Sequence, residues 1–323
     1  MVIRKYLPAS GEGISMFIDC KRGGTQMRTA AIGIGSNSLR MLVADLEGKE
    51  LKRIKRFREG LRVFAALDDE KNIRPEMIRN ACASVLDFYH EAIAMGAEKV
   101  HLFATSAVRD AANQNEFTHA LWEATGLQME ICSGETEANL SFWGACGCGC
   151  TGMIDIGGGS TEIAVGCGRN VDNAVSLQMG AVRLFREWPI TSMEDAGIVV
   201  QKAAEILQPV KNVFRHIPEI EWVGVGGTFT TCAAVAQRIP WQEREKIHHY
   251  RLTKQAVEEC MAFLSALSAA ERSKLECLQP QRADIVVHGI AILLSCMQEL
   301  HIPYLTVSEY GNLEGFLKNK YLF

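Results

Sequence analysis

The segment Asp155-Ile-Gly-Gly-Gly-Ser-Thr-Glu162 gathers groups able to hold both a phosphoryl anion and a divalent cation. Gly157, Gly158 and Gly159 let the backbone come close to a ligand and turn successive N–H groups toward one oxyanion. Ser160 and Thr161 add hydroxyl donors. Asp155 is a hard oxygen ligand suited to Mg²⁺, and Glu162, just past the turn, is placed to join it. Taken alone, the string fits an ordinary glycine-rich hairpin equally well. Two companion turns shift the balance toward phosphate. In Gly35-Ser36-Asn37-Ser38, the side chains of Ser36, Asn37 and Ser38 offer hydroxyl and amide donors, and Arg40 stands where Glu162 stands in the other turn. In Gly224-Val-Gly-Gly-Thr228 an apolar strand runs into an apolar helix, so Gly226, Gly227 and Thr228 can aim N–H groups at an anion.

Two segments between these turns carry further chemistry. In ATSAVRDAAN (104–113), Thr105 or Ser106 is placed to cap a helix, with Arg109 in its first turns. That arginine is either a solvated helix charge or a bidentate phosphate clamp. In SGETEANLSFWG (133–144), Ser133 is the expected N-cap, with Glu135 and Glu137 in the first turn. Acidic side chains there complement the helix dipole, so periodicity alone makes Glu137 ordinary.

The elements that position these residues form a repeat. AIGIGSNSLRMLVA from Ala31 aligns without gaps to MIDIGGGSTEIAVG from Met153, at a constant offset of 122 residues. Each copy reads as an apolar strand, a tight turn and a second apolar strand. A period this long points to a duplicated domain rather than a solenoid. Helical spacing at 73–95, 117–125, 135–145, 194–215, 282–300 and 313–318 alternates with strand-like runs at 100–104, 129–131, 222–225 and 304–307. That alternation implies mixed sheets covered by helices, with a ligand cleft between two α/β units. The expected division is an extension at 1–26, a first domain at 27–136 and a second at 137–310. The last helix, within 311–323, is expected to pack back on the first domain.

Composition bounds the function. Apolar residues make up 48% and charged residues 22% of 323 residues, enough for two ordinary globular domains. A net charge of −4 speaks against broad nucleic-acid binding, so any hold on a polyanion must come from a local basic surface. Segment 49–62, KELKRIKRFREGLR, is either such a track or the solvated face of a strand pair. The longest apolar stretch, at 285–294, is too short to cross a bilayer and reads as a buried helix. Eleven cysteines without a secretory pattern in residues 1–26 read as reduced cytoplasmic thiols. CGCGC at 146–150 reads as a connector, since alternate spacing cannot surround a tetrahedral ion, and His248-His249 reads as surface.

In order along the chain, IGIGSNS, ATSAVRDAAN, SGETEA, IDIGGGSTE, VGVGGT, QRADIVVHG and VSEYGNLEG resemble the motifs of the exopolyphosphatase and guanosine pentaphosphate phosphatase family. The resemblance runs from about Met27 to Phe316 and is to the family's short form. It implies duplicated actin-like (ASKHA, ribonuclease H-like) α/β domains, Mg²⁺ as cofactor, a possible homodimer, and polyphosphate or a guanosine polyphosphate such as pppGpp as substrate. It implies Glu137 as the base that activates water and Arg109 as a phosphate contact. Asp155, Gly157, Ser160 and Glu162 fall on the second phosphate motif and its metal-supporting carboxylates. Two positions depart from the family. Gly33 stands where the first turn carries an aspartate, and Asn312-Leu313 replaces an arginine-bearing pair. A lost metal ligand at Gly33 leaves open a non-catalytic polyphosphate- or alarmone-binding protein on the same fold. A kinase reading lacks a recognisable sugar site.

Overall fold

The computed structural model describes residues 27–147, 149–215 and 220–323. The expected extension at 1–26 lies outside them. The chain folds as two mixed sheets, each covered by helices. The first contains β1 (Met27–Ile34), β2 (Leu39–Glu47), β3 (Glu50–Glu59), β4 (Lys99–Ala104) and β5 (Met129–Ile131), in the order β3-β2-β1-β4-β5. The second contains β6 (Cys150–Ile156), β7 (Thr161–Cys167), β8 (Asn170–Leu177), β9 (Glu221–Val225), β10 (Arg251–Thr253) and β11 (Tyr304–Ser308), in the order β10-β11-β9-β6-β7-β8. β1 and β6 are almost wholly buried because helices cover both faces, which explains the run Ala30-Ala-Ile-Gly-Ile34 in β1 and the burial even of Thr151 and Asp155 in β6.

The repeat survives in the register. In each half an antiparallel meander (β1–β2–β3, β6–β7–β8) is joined by a parallel strand (β4, β9) beside its first member. A bulge interrupts the second pairing after Val43 in one half and after Val165 in the other, again 122 positions apart. The third strand of each meander was not legible as a repeat, because β3 is highly charged and β8 half polar.

Helix Gly134–Ala145, with Ser133 accepting from the Thr136 N–H at 3.0 Å, spans the expected boundary between the domains. It crosses helix Asn312–Tyr321 with backbone against backbone. A Cβ on Gly144 would collide with the Gly311 carbonyl, and one on Gly315 with that of Leu140. Leu313, Phe316 and Leu317 of the last helix pack with Ala31, Leu42 and Phe103 of the first sheet.

Three expectations are corrected. The helix expected over 194–215 is two helices, Met193–Leu207 and Lys211–Arg215, because Pro209 has no N–H to continue the ladder. That expected over 282–300 begins as a 3₁₀ turn at Pro280–Arg282 and becomes α-helical only over Val286–Glu299. The thiols are not all reduced. Cys150 and Cys167 face each other across β6 and β7, so their Cβ atoms are neighbours, and a disulfide joins them. Of the CGCGC run, Cys148 lies outside the described residues. Among these no helix is long and apolar enough to cross a membrane.

Candidate active site

The two hairpins meet turn to turn. Each turn is closed by the same bond, Gly35 N–H to Ser38 carbonyl and Gly157 N–H to Ser160 carbonyl, both 3.0 Å. A Cβ on Gly158 would lie 2.9 Å from Ser36 Cβ, and one on Gly159 2.5 Å from Ser106 Oγ. These two glycines are therefore required by the contact between turns as much as by any ligand. On the first-half side of that contact the Ser36 and Ser106 hydroxyls share a 2.8 Å hydrogen bond. Ser106 is thus not a helix cap, and neither it nor Thr105 caps Ser106–Arg109 through a side chain.

Cross-strand register turns the repeat into two rows of side chains. In the second half Val225, Asp155, Glu162 and Ser176 are successive partners across β9, β6, β7 and β8. A four-residue turn between Asp155 and Glu162 places them directly opposite one another on one face. Ser141 donates to Asp155 Oδ2 at 2.6 Å and Ser176 to Glu162 Oε1 at 2.7 Å. In the first half the equivalent row is Phe103, Gly33, Arg40 and Arg58. One row is anionic, the other cationic.

Between them lies a cavity of about 60 Å³, walled by residues of all three glycine-rich turns with Arg40, Glu137, Asp155, Glu162, Arg282 and Asn312. Glu137 enters from helix Gly134–Ala145, one turn before Ser141. Its Oε2 accepts from Arg109 Nη1 at 2.9 Å, and Arg109 also donates to the Cys132 carbonyl. All three carboxylates are buried. Desolvation raises the Glu137 pKa, with Arg109 opposing. It raises Asp155 against the Ser141 bond and Arg40. It raises Glu162 furthest, because Glu137 and Asp155 add their repulsion. Arg109 itself is desolvated, but the carboxylates of Glu137, Asp110 and Glu162 together outweigh this and raise its pKa.

Comparisons with known proteins identify the fold and family that carry this site. A sequence profile of the Ppx/GppA phosphatase family matches residues 42–322. The chain belongs to the Ppx/GppA phosphatase family. It is 31% identical to exopolyphosphatase 2 of Mycobacterium tuberculosis over 310 residues, covering 89% of this chain and 97% of that protein. The crystal structure of the Aquifex aeolicus Ppx/GppA family member superposes with a TM-score of 0.78 at 26% identity, covering 92% and 98% of the two chains. An exopolyphosphatase from Cytophaga hutchinsonii shares the fold, with a TM-score of 0.82 at 22% identity over 91% and 97%. The fold is therefore the two-domain actin-like one.

Against the Ppx/GppA pattern, the departure at Gly33 has a packing cause. A Cβ there would lie 2.8 Å from the ring of Phe103, which stacks on Phe316 with centroids 4.6 Å apart and planes at 8°. An aromatic pair fills the space that a side chain at position 33 would need. Asn312, the other departure, is not idle, since its Oδ1 accepts from Arg40 Nη2 at 3.2 Å. Among the described residues no three His, Cys, Asp or Glu side chains form a protein-only metal cage. Mg²⁺ asks for less, one or two carboxylates completed by water and substrate phosphate, and the mutual repulsion of Asp155 and Glu162 suits a cation between them.

Of the other expected site residues, Ser36, Asn37, Ser38, Gly157, Gly158, Ser160, Gly226, Gly227 and Thr228 line the cavity. Gly226 has φ 101°, which only glycine adopts readily. Three do not line it. Thr161 spends its hydroxyl on the Met179 carbonyl, Gly159 is packed against serines, and Arg109 stands behind Glu137. Arg282 was missed, although its guanidinium lies against Gly227 and lines the cavity. The signal was in the QRAD motif, but nothing in a lone arginine before a helix shows that it folds over a glycine.

Proposed function

We propose that this chain is a Mg²⁺-dependent hydrolase that removes the terminal phosphoryl group of inorganic polyphosphate. The observation that carries the reading is one small cavity walled by Arg40 and Arg282 together with Asp155 and Glu162, with Glu137 among them. Phosphoryl transfer needs positioning and charge neutralisation more than covalent chemistry. Arg40 and Arg282 would draw charge from the terminal phosphoryl oxygens, helped by N–H groups at the turns and at the start of helix Gly227–Gln237. Asp155 and Glu162 would hold Mg²⁺, which supplies positive charge against the same oxygens. Ser141 and Ser176 keep those carboxylates oriented. Glu137 would orient the attacking water and take its proton, while Arg109 offsets the cost of keeping that buried carboxylate ionised. The exopolyphosphatase named among the relatives supports the choice of polyphosphate.

The test is to incubate the purified protein with Mg²⁺ and, separately, long-chain polyphosphate, pppGpp and ATP, following inorganic phosphate with time. Steady release from polyphosphate, abolished by chelation, is expected. Faster release from pppGpp would move the substrate to guanosine polyphosphates. Intact substrates at stoichiometric protein with Mg²⁺ or Mn²⁺ would leave only a polyphosphate or alarmone binder.

A further inference from the structure

Helix Ala181–Glu187 belongs to the second half by sequence and to both halves by contact. Its first N–H groups are tied to the second glycine turn, Ala181 to the Gly157 carbonyl at 3.0 Å, and Val182 and Arg183 to that of Gly158 at 2.8 and 3.0 Å. Its Ala181 and Val182 side chains are buried in the core of the first half. Arg183 works on both sides at once. Its Nε donates to the Gly159 carbonyl at 2.7 Å. Its Nη2 donates to Asp110 Oδ2 of the first half at 2.9 Å and to Gln178 of its own half. The guanidinium also lies 4.8 Å from the ring centre of Phe64, whose N–H donates to the Ser36 carbonyl of the first turn. Asp110 in turn brings Oδ1 within 3.5 Å of Arg109 Nε, and Arg109 bonds to Glu137. Charges thus alternate without a gap from Glu137 through Arg109 and Asp110 to Arg183, and the chain ends on the backbone of the second turn. The three linking side chains are only 17–25% exposed, so solvent screens them less than it screens a surface pair. Arg109 Nη2 is buried and has no hydrogen-bond partner among the described residues. The orientation of that guanidinium therefore rests on Glu137, Asp110 and the Cys132 carbonyl.

We propose that Arg183 and Asp110 are positioning residues for the hydrolysis: their ion pair ties the two turns together and braces Arg109, which sets the place of Glu137. Neither residue lines the cavity, so both act through others. The packing of Gly158 and Gly159 on Ser36 and Ser106 resists closer approach of the turns but not their separation. The ion pair resists separation. A guanidinium fork can hold the Gly159 carbonyl and the Asp110 carboxylate together only while the turns keep their observed spacing. Loss of Asp110 frees Arg183 from the first half and takes the carboxylate from Arg109 Nε. The inference rests on the hydrolase reading for its effect on turnover, and on geometry alone for the tie.

The test compares wild type with Arg183→Gln, Asp110→Asn, the double variant and Arg183→Lys. It measures phosphate release from long-chain polyphosphate with Mg²⁺, thermal melting, and hydrogen exchange without substrate. Each of Arg183→Gln and Asp110→Asn should lose roughly 10- to 100-fold in kcat, the scale of a small misplacement of a catalytic group, with KM changed by less than about 3-fold. The double variant should be about as slow as either one, because both cut the same tie. Arg183→Lys, which keeps the charge but not the fork, should fall between them and wild type. Added to Glu137→Gln, the same substitutions should lower the residual turnover by less than about 2-fold, since the base they place is already gone. Full losses in that background, or losses seen only near a lowered thermal midpoint, reduce the pair to a support of the fold and overturn the proposal. If wild type hydrolyses polyphosphate and the variants keep its kcat, the hydrolase stands and the tie fails. If wild type releases no phosphate, the hydrolase reading fails and exchange decides the tie. Faster exchange at 157–160 and 181–183 in both single variants then upholds it, and unchanged exchange overturns it.

Discussion

Superimposed by their 122-residue offset, the two halves differ most where they are structurally most alike. Gly33 corresponds to Asp155, Arg40 to Glu162 and Arg58 lies in the row position of Ser176, on strands with the same register and the same bulge. The second half supports its charges, a serine hydroxyl holding each carboxylate. The first half leaves Arg40 and Arg58 opposed and gives them only amide acceptors, Asn312 and Gln279. Duplication supplied one scaffold twice, and inversion of charge made one copy suited to a cation and the other to an anion. Each row is unfavourable by itself, which is what a binding site looks like without its ligands.

The largest effect that would break this division lies with Glu137, on the anionic side. Glu137→Gln should cut turnover roughly 10²–10⁴-fold and leave polyphosphate binding nearly intact, as loss of a general base does. Parallel turnover and binding measurements check it, and near-normal turnover would reduce Glu137 to a first-turn carboxylate. Arg40→Gln should act in the opposite sense, raising KM by roughly 10- to 100-fold with a smaller change in kcat. Should KM hold steady while kcat collapses, the cationic row would not be the binding half. If Gly33 is simply a lost metal ligand, Gly33→Asp, which would make the halves alike, should lower the Mg²⁺ requirement. The Phe103 ring now argues against that outcome. The substitution should cost about 1–3 kcal/mol of stability through overpacking without improving metal affinity. A denaturant titration and a Mg²⁺ titration of activity decide it, and a lower Mg²⁺ requirement at undiminished stability would show that the ring yields. The smallest effect is in pH. As the proposed base Glu137 would work deprotonated, and its pKa is raised by burial, so activity should fall on acidification from a point above the usual glutamate value of about 4.3. Arg109→Gln removes the charge that opposes the rise, so the acid limb of kcat should move to still higher pH. A limb that moves down would mean that Arg109 does not serve Glu137.

What the sequence showed, and what it hid, follows from the range of the interactions. The hairpins, the duplication and the opposition of Asp155 to Glu162 are local, set by apolar runs and a turn of fixed length. Glu137 looked ordinary by periodicity, and only the motif resemblance raised it. Contacts distant along the chain stayed hidden. Phe103 occupying the space above Gly33, Ser36 against Gly158, and Arg282 over Gly227 join residues tens to more than a hundred positions apart. The basic run at 49–62 was half legible. Arg53, Arg56 and Arg58 line a groove of about 920 Å³ beside the small cavity, the bulge at Ile54 bringing Arg53 onto the face of the other two, while Lys49, Lys52 and Lys55 face solvent.

The crossing of helices Gly134–Ala145 and Asn312–Tyr321 has a mechanical meaning. Two helices that touch through Gly144 and Gly315 approach more closely than side chains would allow, and Leu140, Leu313, Phe316 and Leu317 pack around the contact. The contact pins the helix that carries Glu137, two turns away, against the first sheet. A few degrees of rotation there would move the base relative to the arginines of the first sheet. A single methyl group at 144 or 315 would pry the helices apart without touching any charged side chain. Loss of activity with every charged residue intact is the phenotype so close a contact predicts.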